Sequence, residues 1–183
     1  MDRARRRAAV WLFSVAAAAY LADRLTKIWA EQRLPGDPID VIPGVVTFRF
    51  ATNPGGAFSF GRSAPWFFVA VTIVVAVTIV VTAFRHTNRG TALALGLVLG
   101  GALGNLTDRL TRGERFDGHV VDFIDLQVWP VFNLADSAIV IGAVVLALGS
   151  FMGDRLTAGT DPAAPDPAPP DPSVPDPSPA RER

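Results

Sequence analysis

The sequence predicts an all-α membrane protein with four transmembrane helices, a small extracytoplasmic β-sheet between helices 1 and 2, and a disordered C-terminal tail. Three observations lead there. Half of the 183 residues are hydrophobic and the formal charges cancel, while the mean hydropathy is positive, outside the ordinary soluble range. The apolar residues gather into blocks of helix-spanning length. The charged residues gather between those blocks. Cysteine is absent, which excludes disulfides, thiolate catalysis and cysteine-based metal sites. Lys27 is the only lysine, and His86 and His119 the only histidines.

The first block follows the basic residues Arg3, Arg5, Arg6 and Arg7 and predicts a span over about 8–28. Taken alone, the basic start, short apolar core and small residues at 16–19 also describe a cleavable secretory signal. Later blocks favour a retained helix. Residues 65–84 are apolar, uncharged and rich in Val and Ile. The third span, 91–108, places Gly96, Gly100 and Gly104 four residues apart, a small-residue face suited to close helix packing. The fourth is expected at 133–151. Arginine placement puts the N-terminus and the 85–89 connection in the cytoplasm, and an even number of crossings returns the C-terminus there. Trp29, Trp66 and Trp129 then fall near the outer interface and Trp11 near the inner one.

Within the first outer segment, residues 45–50 form a β-favouring run between Pro43-Gly44 and Asn53-Pro54-Gly55-Gly56. The domain is expected to cover 1–156. Residues 157–183, with repeated Asp-Pro and Ala-Pro units, predict a disordered cytoplasmic tail.

Ionisable residues beside a membrane span are costly unless paired or hydrated, and here they collect on the outer side. Asp23 and Lys27, four apart on one helix, can pair. Asp108, at a helix C-terminus, meets like partial charge and requires compensation. The adjacent Arg109 cannot supply it within the helix, so a cross-helix network is expected. Asn133 can cap the fourth helix, placing Asp136 at its third position, where a carboxylate is favoured without any catalytic role. Asp122 lies in an apolar stretch close to the surface, and its plain reading is a solvated loop carboxylate. Their concentration on one side suggests a site. Two adjacent carboxyls can share a proton, one taking a proton from water and the other donating to the carbonyl under attack. Asp125 is the alternative partner: it shares the face of Asp122 if the stretch is helical and points oppositely in a strand.

Five segments carry a family resemblance: Asp23-Arg24-Leu25-Thr26-Lys27, Asn53-Pro54-Gly55-Gly56-Ala57-Phe58, Gly104-Asn105-Leu106-Thr107-Asp108-Arg109, Val120-Val121-Asp122-Phe123, and Phe132-Asn133-Leu134-Ala135-Asp136. In order and placement they resemble the lipoprotein signal peptidases (signal peptidase II) over about residues 8–151. The resemblance implies a membrane aspartic endopeptidase that removes the signal peptide of prolipoproteins by cutting before a diacylglyceryl-modified cysteine. Asp122 and Asp136 would be catalytic. Asn53, Gly55, Asn105, Asp108, Arg109, Asn133 and Ala135 would shape or support the substrate site, with Asp23 and Lys27 as supporting residues. It further implies a multi-pass protein of the bacterial cell membrane with its site on the extracytoplasmic side. Membrane lipids and lipid-modified substrates are the expected partners, with no nucleic acid, no metal, no cofactor and a monomeric state. Pro54 removes one amide donor from the Asn53 segment.

Other chemistries remain open from residue types. A serine-lysine peptidase would use Lys27 with Ser59 or Ser137. A metal hydrolase would use His119, Asp122 and Asp125, without an established zinc spacing. The Gly-x-Gly-Asp motif of presenilin-type proteases is absent. A small transporter or assembly subunit would instead use the polar cluster for ions, protons or helix association.

Overall fold

The structure is a computed structural model that describes residues 3–54, 65–85, 88–113 and 118–157. Residues 1–150 form one compact unit and 151–183 a second. The elements run α1 (Arg3–Arg33), β1 (Ile39–Ile42), β2 (Val46–Asn53), α2 (Pro65–Thr82), α3 (Arg89–Thr111), β3 (Val120–Asp125) and α4 (Leu134–Thr157). Each apolar block is helical; α1 and α3 overrun their expected spans at both ends and α4 at its C-terminal end, because polar turns continue them beyond the apolar stretch, whereas α2 stops at Thr82, two residues short. α1 ends at Arg33 because Leu34 precedes Pro35, whose ring disfavours helical geometry in the residue before it. Asn88 caps α3 by accepting from the amides of Gly90 at 2.7 Å and Thr91 at 3.3 Å.

Three helices, α1, α3 and the Leu134–Phe151 part of α4, are long and apolar enough to cross a membrane. In α2 the apolar run Val69–Thr82 is shorter. Two of its three threonines, Thr78 and Thr82, return their hydroxyls to the carbonyls of Val74 and Thr78, at 2.8 and 2.7 Å, so these two add no unmet polar group to this apolar helix. Large side chains such as Val74, Val81, Val140 and Phe151 face outward, as a lipid-facing surface requires.

The helices approach closely through glycine. A Cβ on Gly96 would sit 2.6 Å from the Leu12 carbonyl of α1, and one on Gly100 would sit 2.5 Å from that of Ala16. On the opposite side of α3, a Cβ at Gly101 would strike the Ala135 carbonyl, and Gly142 of α4 faces Ala94 and Val98. α3 is therefore clasped between α1 and α4 through small residues. Leu12, Ala16, Ile79, Ala92 and Leu99 belong to the buried cluster joining α1, α2 and α3.

The sheet corrects the expectation in one respect. It has three antiparallel strands in the order β1-β2-β3, and only β1 and β2 lie between the first two helices; β3 comes from the connection before α4. The β1–β2 hairpin turns on Pro43 and Gly44 (φ 74°), closed by the Val45 amide on the Ile42 carbonyl at 2.9 Å, as a type II turn requires. A second buried cluster, Ala30 of α1 and Leu34 just past it against Val121 and Phe123 of β3, seats the sheet on the end of α1. Trp29 meets Phe48 and Phe123 edge-on at 5.7 and 6.1 Å. The proposed tail lies, from residue 158 on, outside the described residues.

Candidate active site

Asp122 stands in the middle of β3 opposite Ala51 of β2 and is 2% exposed. The strand settles its relation to Asp125: three residues apart, they point to opposite faces. Asp125 turns to the guanidinium of Arg49 and the amide of Gln127, and Arg49 first and Gln127 second hold its carboxyl below the usual range.

Asp136 reaches the same place from α4. Asn133 is the N-cap: its Oδ1 accepts from the Asp136 amide at 2.9 Å, while Asp136 Oδ2 accepts from the Asn133 amide at 3.3 Å. This is the reciprocal capping box, with Asp at the third position. The Asn133 amide group is left to face β3, donating to Asp122 Oδ1 at 2.7 Å. One asparagine thus contacts both carboxylate-bearing residues. Asn53, at the end of β2, donates to Asp122 Oδ2 at 3.1 Å. Asn105 of α3 donates to Asp136 Oδ1 at 2.8 Å, and its own Oδ1 accepts from Lys27 at 2.8 Å and from Asn133 at 3.2 Å. Two donors on that oxygen fix which way the Asn105 amide points.

Burial, then the neighbouring Asp136 charge, push the Asp122 carboxyl up to about 6, against the hydrogen bonds from Asn133 and Asn53 and the Lys27 charge. Arg109 is buried within electrostatic reach of Asp122, Asp136 and Asp108.

Beneath the pair lies a charged lattice. Lys27 Nζ is 2.9 Å from both Asp23 Oδ2 and Asp108 Oδ2, and all three side chains are fully buried. Asp108 Oδ1 accepts from Arg24 and, at 2.8 Å, from Arg112 Nε, and Arg112 also pairs with Glu31. Asp108 Oδ2 lies 3.3 Å from the Val121 amide, tying α3 to β3. Asp23 Oδ1 accepts from the Ala135 amide at 3.0 Å, tying α1 to the first turn of α4. Gly104 gives Asp23 its room, because a Cβ there would overlap Asp23 Oδ2. The lattice supplies the cross-helix compensation expected for Asp108.

The structure therefore brings together Asp23, Lys27, Asn53, Asn105, Asp108, Arg109, Asp122, Asn133, Ala135 and Asp136. Gly55 lies outside the described residues. Arg24, Arg112 and Glu31 join the lattice without being singled out by the sequence; the spacing of Arg112, four residues after Asp108, is the available signal. Lys27 is committed to two carboxylates and Asn105, and Ser137 donates to the Asn133 carbonyl at 3.1 Å, so neither forms a serine-lysine pair. Ser59 lies outside the described residues. Asp122 and Asp125 on opposite strand faces cannot share a metal with His119. Among the described residues no group of three or more His, Asp or Glu is placed to hold one.

Known proteins share this plan. The family model for signal peptidase (SPase) II matches residues 15–152. The lipoprotein signal peptidase of Rhodococcus jostii (strain RHA1) is 44% identical over 146 residues, covering 78% of this chain and 73% of its own. That of Streptomyces coelicolor is 44% identical over 153 residues, covering 82% and 74%. That of Mycobacterium tuberculosis (strain ATCC 25618 / H37Rv) is 41% identical over 144 residues, covering 78% and 71%. A bacterial membrane enzyme solved by the in meso method at 2.3 Å superposes with a TM-score of 0.71 at 28% identity, over 84% of this chain and 93% of that one. With the family model spanning all but the ends of the helical unit, and three such relatives each matched over most of their length, the chain belongs to the signal peptidase II family of membrane proteases.

Proposed function

We propose that Asp122 and Asp136 are the catalytic pair with which this lipoprotein signal peptidase removes signal peptides from prolipoproteins. The observation that carries the assignment is Asn133, which caps α4 with Asp136 and at the same time holds Asp122 at 2.7 Å. Two carboxyls in one buried site disfavour joint ionisation, and the Asp136 charge adds to burial in raising the Asp122 carboxyl. Burial favours the protonated form of Asp122. The ionised member removes a proton from water as the oxygen attacks the scissile carbonyl, and the protonated member donates to the carbonyl oxygen. Collapse of the tetrahedral intermediate breaks the C–N bond, and a carboxyl proton passes to the leaving amine.

Asn53, Asn105, Asp108, Arg109, Asn133 and Ala135 shape the substrate site around the pair, and Asp23 and Lys27 support it. By the family resemblance Gly55 also shapes the substrate site. All four helices cross the bacterial cell membrane, the termini are cytoplasmic, and the pair and sheet sit at the extracytoplasmic boundary. Arg3 to Arg7 at one end of α1 and Trp29, Trp66 and Trp129, all exposed in part, support that orientation. Residues 1–156 are the peptidase domain and 157–183 a tail outside the chemistry. The enzyme acts as a monomer, and the acyl chains of the diacylglyceryl cysteine stay in the bilayer while the bond before it is presented to the aspartates.

Cleavage of a precursor with and without its diacylglyceryl group, by wild type and by Asp122→Asn and Asp136→Asn, tests this. Each variant should be folded and slower by at least about a hundredfold, and the unmodified precursor should not be cut. Normal cleavage by either variant would overturn the pair, and lipid-independent cleavage the substrate.

A further inference from the structure

At the end of α1 remote from the aspartates, Arg3, Arg6 and Arg7 rise on one helix face with Val10 and Trp11, lining an open cleft of about 470 Å³. Arg6 and Val10 also line the next trough, about 510 Å³, between α1 and Phe84 in the turn just past α2. Phe13 and Ala17 of that trough continue into a third of about 450 Å³, walled by Tyr20, Val77, Val81 and Leu103. Shared residues make the three one track along the α1–α2 seam. Its chemistry changes once: three guanidiniums at the mouth, then almost wholly apolar lining to Tyr20, whose hydroxyl lies 3.4 Å from Thr107 Oγ1. From Val10 to Tyr20 a helix rises about 15 Å at 1.5 Å per residue, the hydrocarbon depth of one leaflet in a core of about 30 Å.

We propose that this seam is a binding site for one anionic phospholipid, its phosphate held by Arg3, Arg6 and Arg7 and one acyl chain laid along Phe13 and Ala17 towards Tyr20. Charge complementarity selects the headgroup: guanidinium forks pair with phosphate oxygens in two parallel hydrogen bonds, and basic residues flanking a span draw anionic lipid. The depth of the trough selects a membrane lipid over a free phosphate. The site is separate from the peptidase centre, since Asp23 follows Arg7 by sixteen residues, about 24 Å along the helix.

The full chain, purified in detergent and titrated with phosphatidylglycerol or phosphatidylcholine, tests this by native mass spectrometry. Wild type should retain one phosphatidylglycerol at concentrations where phosphatidylcholine is lost. Arg3→Gln, Arg6→Gln and Arg7→Gln together should weaken that retention at least about tenfold. Because three arginine losses also weaken the orienting signal, Ala17→Phe, which fills the trough from an exposed position, should reduce retention independently. Millimolar inorganic phosphate should not displace the lipid. Equal retention of the two lipids, wild-type retention by either variant, or displacement by inorganic phosphate would each overturn the proposal. Cleavage should continue in Ala17→Phe, which keeps a failure here distinct from a failure of the catalytic assignment.

Discussion

Asp122→Asn should make the folded protein harder to unfold, and the gain should grow with pH. The side chain is 2% exposed, and burial together with the Asp136 charge takes its carboxyl from 3.8 to about 6. Between those values the folded protein holds a proton that the unfolded chain has released. Stability contributed by Asp122 is therefore fully present below 3.8, falls as pH rises, and is lost above about 6. At about 1.36 kcal/mol per pH unit, the interval amounts to roughly 3 kcal/mol by pH 8. Asparagine removes that cost but introduces a smaller one. Both Asp122 oxygens accept from asparagine amides, so a carboxamide must turn its own NH2 towards one of them. The longer Asn53 contact at 3.1 Å is the cheaper to lose, at about 1 kcal/mol. The net expectation is a gain of about 2 kcal/mol at pH 8 and a loss of about 1 kcal/mol near pH 4. Thermal unfolding of wild type and variant in one detergent, from pH 4 to 8, reads the difference directly. A difference that stays constant with pH, or shrinks as pH rises, would refute the reasoning.

Gly104→Ala should drive a methyl into Asp23, loosen its hold on the Ala135 amide, lower stability by about 1–3 kcal/mol and reduce kcat; a wild-type melting curve and rate would show that α1 and α3 have room there. Lys27→Met should leave Asp23 and Asp108 buried without their shared cation, at a cost of about 3–5 kcal/mol. Adding Asp23→Asn should restore part of the thermal stability, and no recovery in the double variant would mean that the charge balance is not what Lys27 supplies. Asp125→Asn, which removes only a pair with half-exposed Arg49, should cost below about 1 kcal/mol and leave cleavage near wild type. Loss of cleavage in that variant would return Asp125 to the centre of the chemistry.

The helices were legible because a bilayer imposes length and composition on each block separately, and Gly96, Gly100 and Gly104 declared a packing face by spacing alone. β3 was not legible as a strand. Val120–Asp125 is short, and its partner β2 lies some seventy residues earlier, so only pairing across that distance decides that Asp122 and Asp125 part company. Asn133 illustrates the same division. Its capping of α4 was readable from a three-residue interval, whereas its bond to Asp122 depends on where β3 is laid. Arg24, between Asp23 and Lys27, shows no role in local sequence because its partner, Asp108, belongs to another helix. The pair of Asp23 and Lys27 was local and visible, and the lattice they share with Asn105 was not.

The bond between Asp23 and the Ala135 amide spans 112 positions of chain. During synthesis the acceptor is made in the first helix and must wait for the last. Until α4 has inserted and its opening turn has reached that waiting carboxylate, Asp136 has no fixed address and Asn133 nothing to reach across to. A chain that stops short of α4 therefore lacks both this bond and the Asn133–Asp122 contact, and the two carboxylate-bearing elements are joined only when the last helix arrives.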